Sequence, residues 1–127
     1  MKYIPLNVKT EYDLMNSLIK IDELILYAKK FNINSIGITD ENMFGTMEFI
    51  NKCKDNQIKP IIGIKITIDN INFLLYAKNY NGYVSLCEIV TLKNLEELSL
   101  DKLESYNDII CVCDYNNYLI LKECFRY

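Results

Sequence analysis

The chain of 127 residues contains no histidine. Histidine is the commonest metal ligand and the only side chain whose ordinary pKa lies near neutrality. Ser-His-Asp and Cys-His nucleophile pairs are therefore excluded within this sequence, as is any imidazole-based metal site. Glycine and proline are also scarce, at four and two residues. With half the residues hydrophobic and 24% charged, this scarcity excludes disordered, low-complexity and collagen-like sequence. There is no CxxC pair, no GxxxxGK[ST] or GxGxxG phosphate loop, no internal repeat and no linker. No run approaches the roughly 18 apolar residues of a membrane-spanning helix, and Met1–Leu18, with Lys2, Lys9, Glu11 and Asp13, does not read as a signal peptide.

What is present suits one compact domain over residues 1–127. Fourteen basic against 17 acidic residues leave a net charge of −3, which argues against a broad phosphate-backbone surface. The five cysteines (Cys53, Cys87, Cys111, Cys113, Cys124) read as buried free thiols of a cytoplasmic, reducing-compartment protein, with a metal pair or a disulfide as the alternative. The ten tyrosines are scattered from Tyr3 to Tyr127 without basic interleaving and read as packing residues, not as a base-stacking platform.

Periodicity predicts the element order. Tyr3–Val8 reads as a first strand, placed at an edge or a strand start because Pro5 cannot donate to a ladder. Lys9–Ser17 reads as a loop. Ile21, Leu24, Ile25 and Ala28 follow helical spacing, with Asp22 and Glu23 in the first turn and Lys29 and Lys30 in the last. Ser35–Thr39 predicts a second strand, ending in the polar loop Asp40-Glu41-Asn42. A helix over Thr46–Asp55 follows, with Met47, Ile50 and Lys54 on one side. Pro60–Ile68 predicts a strand buried on both faces, as in parallel sheets. Asp69-Asn70 predicts a hairpin into Ile71–Ala77.

The second half predicts a helix over Gly82–Leu92 through Val84, Leu86, Cys87 and Val90, short helical turns within Leu95–Tyr106, a last buried strand over Asp108–Cys113, and a helix over Tyr115–Tyr127. The alternation implies an α/β architecture with a mainly parallel sheet. In such folds sites lie beyond the carboxyl ends of strands, which places Asn7-Val8-Lys9, Asp40-Glu41-Asn42 and the neighbourhood of Lys65 together as the candidate site.

The residues at these ends carry a resemblance. Asn7-Val8-Lys9-Thr10-Glu11-Tyr12-Asp13-Leu14, Ile38-Thr39-Asp40-Glu41-Asn42-Met43-Phe44-Gly45 with Glu48-Phe49, Lys59-Pro60-Ile61-Ile62-Gly63, and Leu75-Tyr76-Ala77-Lys78-Asn79 with Gly82-Tyr83 and Leu86 resemble the N-terminal PHP (polymerase and histidinol phosphatase) domain of bacterial DNA polymerase III alpha subunits. The resemblance covers roughly Tyr3 to Asp114 and implies a distorted (β/α)7 barrel, of which this chain would hold about the N-terminal half. The family's His-x-His motif falls on Asn7 and Lys9, its Asp-His-Gly motif on Asp40 and Glu41 with one residue fewer, and an expected glutamate on Lys65.

In metal-binding relatives these positions hold divalent ions for phosphoester hydrolysis. A protonated lysine has no free lone pair to offer a metal, so the resemblance implies a degenerate metal site with no catalytic residue, no bound metal and no cofactor in this segment. Lys9, Lys65, Asp40 and Glu11 are the candidates for an ion-pair cluster replacing the lost cations; the other reading leaves Lys9 and Lys65 as solvated lysines at a pocket rim.

The implied role is structural. The parent polymerase would use Mg2+ through downstream domains, which would also make the main contacts with primer-template DNA. Partners would be the remaining polymerase domains of the same polypeptide, the proofreading subunit and the replisome, with no membrane. The alternatives are a stand-alone PHP-type phosphoesterase, histidinol-phosphatase-like, and a free-standing interaction module. Half a closed sheet would expose edge strands and an apolar flank, and so favour an oligomer or unusual packing.

Overall fold

The computed structural model describes residues 3–13, 17–122, 124 and 125. The chain forms two compact units, residues 1–62 and residues 63–127.

The first unit is built on a parallel strand pair. β1 (Ser35–Ile38) runs parallel to the opening residues of β2 (Lys59–Ile68), from Ser35 opposite Lys59 to Ile38 opposite Ile62. The Tyr3–Val8 segment lies along β1, but as extended chain with a single bridge, Val8 to Ile38, and not as a strand. Its bonds are Gly37 N to Pro5 O (2.7 Å), Val8 N to Gly37 O (3.2 Å) and Thr39 N to Val8 O (2.9 Å). Proline at position 5 removes a donor, which shortens the ladder. Gly37 permits the approach, because a Cβ there would lie 2.8 Å from the Leu6 carbonyl oxygen.

Two helices complete this unit and pack on each other. α1 (Ile21–Lys30) buries the predicted stripe Ile21, Leu24, Ile25 and Ala28. α2 (Thr46–Asp55) has its predicted bounds but a different inner face. Thr46, Phe49 and Cys53 are buried, whereas Met47 and Lys54 are exposed and Ile50 is half-buried. The large Phe49 ring sets the phase that the Met47, Ile50, Lys54 spacing missed. Full burial of Ile21, Ile36, Ile38 and Phe49 stabilises this core by roughly 1.5–3 kcal/mol per side chain.

The second unit is antiparallel. From Gly63 onward, β2 pairs with β3 (Ile71–Ala77), and β3 pairs with β4 (Ile109–Cys113). Asp69 and Asn70 form the predicted hairpin turn with φ of 51° and 65°, the two positive values that a type I′ turn requires. The expectation of a mainly parallel sheet thus holds for β1 and β2 only. Antiparallel pairing also explains why β2 is buried on one face, through Ile64, Ile66 and Ile68, and not on both: Lys65 is half-buried and Thr67 exposed.

Beside these strands α3 (Tyr80–Asn94) buries Gly82, Leu86, Ile89 and Val90. It starts earlier than predicted because the Asn79 side chain accepts from Gly82 N at 3.0 Å, a regular N-cap. Val84 is exposed and Cys87 half-buried, contrary to expectation. A 3₁₀ turn (Leu100–Ser105) buries Leu103.

β4 is not the buried strand expected. Ile109 is covered, but Ile110 and Val112 are each 49% exposed. The last helix, α4 (Tyr115–Leu121), buries Leu121; the remainder of its predicted span includes Glu123, Arg126 and Tyr127, outside the described residues. No disulfide joins the five cysteines, of which Cys53 and Cys124 are buried and the other three half-buried. No described helix is long and apolar enough to cross a membrane.

Three helices end the same way. Asn32, Gln57 and Glu96, with φ of 54°, 60° and 59°, follow α1, α2 and α3. The next amide returns to the last turn each time: Ile33 N to Ala28 O (2.8 Å), Ile58 N to Cys53 O (2.8 Å) and Glu97 N to Leu92 O (2.9 Å). These are Schellman stops at a position where glycine is normally found. Gln57→Gly should therefore raise stability by about 0.5–1 kcal/mol and Gln57→Val should lower it, as read from urea unfolding midpoints.

Candidate functional site

The carboxyl end of β1 delivers Thr39 and Asp40, both buried, to the loop that follows the Tyr3–Val8 segment. Asp40 is 2% exposed. Both of its oxygens are engaged by one residue: Thr10 N donates to Oδ1 at 2.7 Å and the Thr10 hydroxyl donates to Oδ2. The Thr10 hydroxyl oxygen also accepts from Tyr12 N (3.3 Å), and its carbonyl accepts from Asp13 N (3.0 Å). Position 10 thus closes a tight turn that brings Asp13, also 2% exposed, back toward Lys9.

Lys9 Nζ lies 3.6 Å from Asp13 Oδ2 and donates to the Thr39 carbonyl at 2.8 Å. Asn7 is at the same end, its Oδ1 accepting from the Thr39 hydroxyl. The loop is held further by the Ser17 hydroxyl donating to Lys9 O (2.6 Å) and by Glu11 N donating to Ile19 O (2.7 Å).

Burial pushes the Asp40 carboxyl above its ordinary value, and Asp13 nearby pushes the same way. The two Thr10 bonds and the Lys9 charge pull it back without cancelling the rise.

A second polar chain ties this loop to both helices. The Tyr12 hydroxyl donates to Glu48 Oε2 at 2.5 Å, Lys52 Nζ lies 3.1 Å from Glu48 Oε1, and Lys52 also pairs with Asp22. Hydrogen bonds from Tyr12 and Lys52 hold the Glu48 carboxyl below its usual range, and the same bond to Glu48 raises the Tyr12 phenol. Asn42 Nδ2 donates to the Tyr12 carbonyl (2.6 Å). Gly45 is required beneath the Tyr12 ring, since a Cβ there would overlap it.

Asn7, Lys9 and Asp40 converge, and Glu41 follows Asp40, half-buried. The ion pair of Lys9 is made with Asp13, and neither Asp40 nor Glu11 takes that place. Asp13 stands four residues beyond Lys9, across the Thr10 turn, while Asp40 is bonded to Thr10. Lys65 lies in the second unit on β2, opposite Leu74.

A divalent ion does not fit the residues of this first-unit site. Both Asp40 oxygens face donors, and the Lys9 ammonium stands beside the Thr39 carbonyl and Asp13. Among the described residues, no three Cys, Asp or Glu side chains gather where they could hold a metal ion.

The parallel β1–β2 pair with a polar cluster at its carboxyl end and the mixed α/β architecture accord with the class that the family comparison defines. The family model for the PHP domain matches residues 5–123, and the chain belongs to that family. It is 39% identical over 116 residues, 87% of its length, to the DNA polymerase III subunit alpha of Ureaplasma parvum. It is 32% identical over 115 residues to that of Mycoplasma genitalium and 30% over 115 residues to that of Staphylococcus aureus, covering 86% and 84% of this chain. It spans only 12%, 13% and 11% of the length of these three relatives.

Raised burial cost at Asp40 has a pH consequence. A carboxyl whose folded pKa exceeds its unfolded value favours the folded state most at low pH, and that contribution is lost as pH rises from about 4 through the folded value. Asp40→Asn should flatten the stability profile in that window, measured by urea unfolding between pH 3.5 and pH 7, all of these being approximate set points.

Proposed function

We propose that this chain is a PHP segment of the alpha subunit of a bacterial replicative DNA polymerase III, and that it serves as a non-hydrolytic scaffold in DNA replication. In this reading Asn7, Lys9, Asp40, Glu41 and Lys65 occupy the family's former metal-site positions. Template-directed nucleotidyl transfer, with its Mg2+, belongs to other domains of the same polypeptide, which also make the main contacts with primer-template DNA. Those domains are the first partners, followed by the proofreading subunit and the replisome, and the protein acts in the cytoplasm.

One observation carries the non-hydrolytic part: the Asp40 carboxylate is capped at both oxygens by Thr10 while the Lys9 ammonium stands at the end of the same strand. A hydrolytic centre needs open carboxylates or neutral imidazoles about 2.0–2.2 Å from each ion. The ammonium charge opposes a cation there, and its protonated nitrogen cannot ligate one. The replication part is supported by the identity to alpha subunits over most of the chain.

The chain incubated with Mn2+ or Zn2+ and a nitrophenyl phosphate ester should release no more phenolate than buffer. Metal-dependent turnover that Asp40→Asn abolishes would reject the scaffold reading in favour of a phosphoesterase. The gene beyond the Tyr127 codon should continue into polymerase domains carrying the magnesium-binding carboxylates; a stop codon there would favour a free-standing module.

A further inference from the structure

Apart from the Thr10–Asp40 cluster, the first unit holds an apolar cavity of about 400 Å³ between the Tyr3–Val8 segment, α1 and β1. Its floor is aliphatic, lined by the buried side chains of Leu24, Ile33 and Ile36. Its rim has a different chemistry. Tyr3 and Tyr27 stand there, both exposed, beside Glu23, the one charged residue among the described residues that line the cavity. Glu23 and Tyr27 are four residues apart on α1, so carboxylate and ring are neighbours on one helix face. Among the described residues, no hydrogen bond or ion pair engages the Glu23 carboxylate.

Each part selects for a property of the occupant. The volume lies within the roughly 300–1,000 Å³ of small-ligand sites. The aliphatic floor favours an apolar body, because it offers no hydrogen-bonding side chain to a polar one. The rim favours positive charge twice over: Glu23 attracts a cation by its own charge, and Tyr27 by the negative face of its ring. The same helix end already displays the ring effect. Tyr27 is stacked on Phe31 with centroids 4.6 Å apart, and the Lys30 ammonium sits 5.5 Å from the Phe31 centroid. An anion would gain only the floor and would be repelled by Glu23.

We propose that this cavity binds a small organic cation: an aliphatic or aromatic body carrying one protonated amine. The body rests on Leu24, Ile33 and Ile36, and the ammonium takes the mouth, against Glu23 and the Tyr27 ring. The site goes beyond the scaffold reading and does not rest on it, since no lining residue belongs to the cluster at Asp40.

Phenylbutylammonium, phenylbutanol and phenylbutanoate share one apolar body and differ in charge, so titrating the chain with each, followed by methyl NMR, separates these contributions. The ammonium should bind about tenfold more tightly than the alcohol, and the carboxylate more weakly than both. Shifts should centre on the methyls of Leu24, Ile33 and Ile36. Glu23→Gln should reduce the preference for the ammonium to about threefold, and adding Tyr27→Leu should abolish it. Equal affinity for ammonium and alcohol would overturn the proposal, leaving a cavity blind to charge. So would a preference that survives Glu23→Gln unchanged, shifts confined to another surface, or no saturable shift with the ammonium. Should either variant lose the native spectrum, added salt decides in the unsubstituted chain: the advantage of the ammonium should narrow as ionic strength rises, and an advantage indifferent to salt rejects the proposal.

Discussion

The clasp between Thr10 and Asp40 is the constraint on which the first unit depends. A carboxylate removed from water must be met by donors, and a single threonine meets both oxygens with its amide and its hydroxyl. The threonine can do so only because the preceding residues lie along β1, bonded at Gly37 and Thr39. The tight turn that follows carries Tyr12 onto Gly45 and Glu48, and Asp13 toward Lys9. One buried charge thereby fixes the loop, the start of α2 and the polar end of the strand.

The site chemistry follows from how that charge is answered. A hydrolytic centre leaves carboxylate lone pairs directed at ions. Here they point at a backbone amide, a hydroxyl and the field of a lysine, which is a satisfied structural network. The outer chain of Tyr12, Glu48, Lys52 and Asp22 adds little energy, because exposed pairs are screened. It does restrict where the loop can go, by joining it to both helices.

Much of this was legible in the residues. The α1 stripe, the α2 bounds and the Asp69-Asn70 hairpin depend on local periodicity and turn chemistry, which a sequence carries openly. The convergence of Asn7, Lys9 and Asp40 was legible as well, through their place at the ends of two extended apolar segments. The pairing of Lys9 with Asp13 was not legible, because it depends on the Thr10 turn, which only the fold displays. Its signals, a threonine three residues before an aspartate and a lysine four before it, are common in loops. The double burial expected of β2 and the burial expected of β4 failed for a related reason: an apolar run does not reveal whether its neighbours are parallel or antiparallel. The inner face of α2 was missed by one position, since Phe49 outweighs Met47 in the competition for the core.

The exposed β4 strand has a colloidal consequence. Its five residues are uncharged, and no further strand pairs with it among the described residues, which makes it a template for intermolecular pairing. Asp108 and Asp114 flank it as gatekeepers. Two copies meeting antiparallel about Cys111 would set Asp108 of one against Asp114 of the other, at both ends. Such head-on encounters are electrostatically repelled in dilute buffer and eased by added electrolyte, so clumping through this edge is governed by ionic strength.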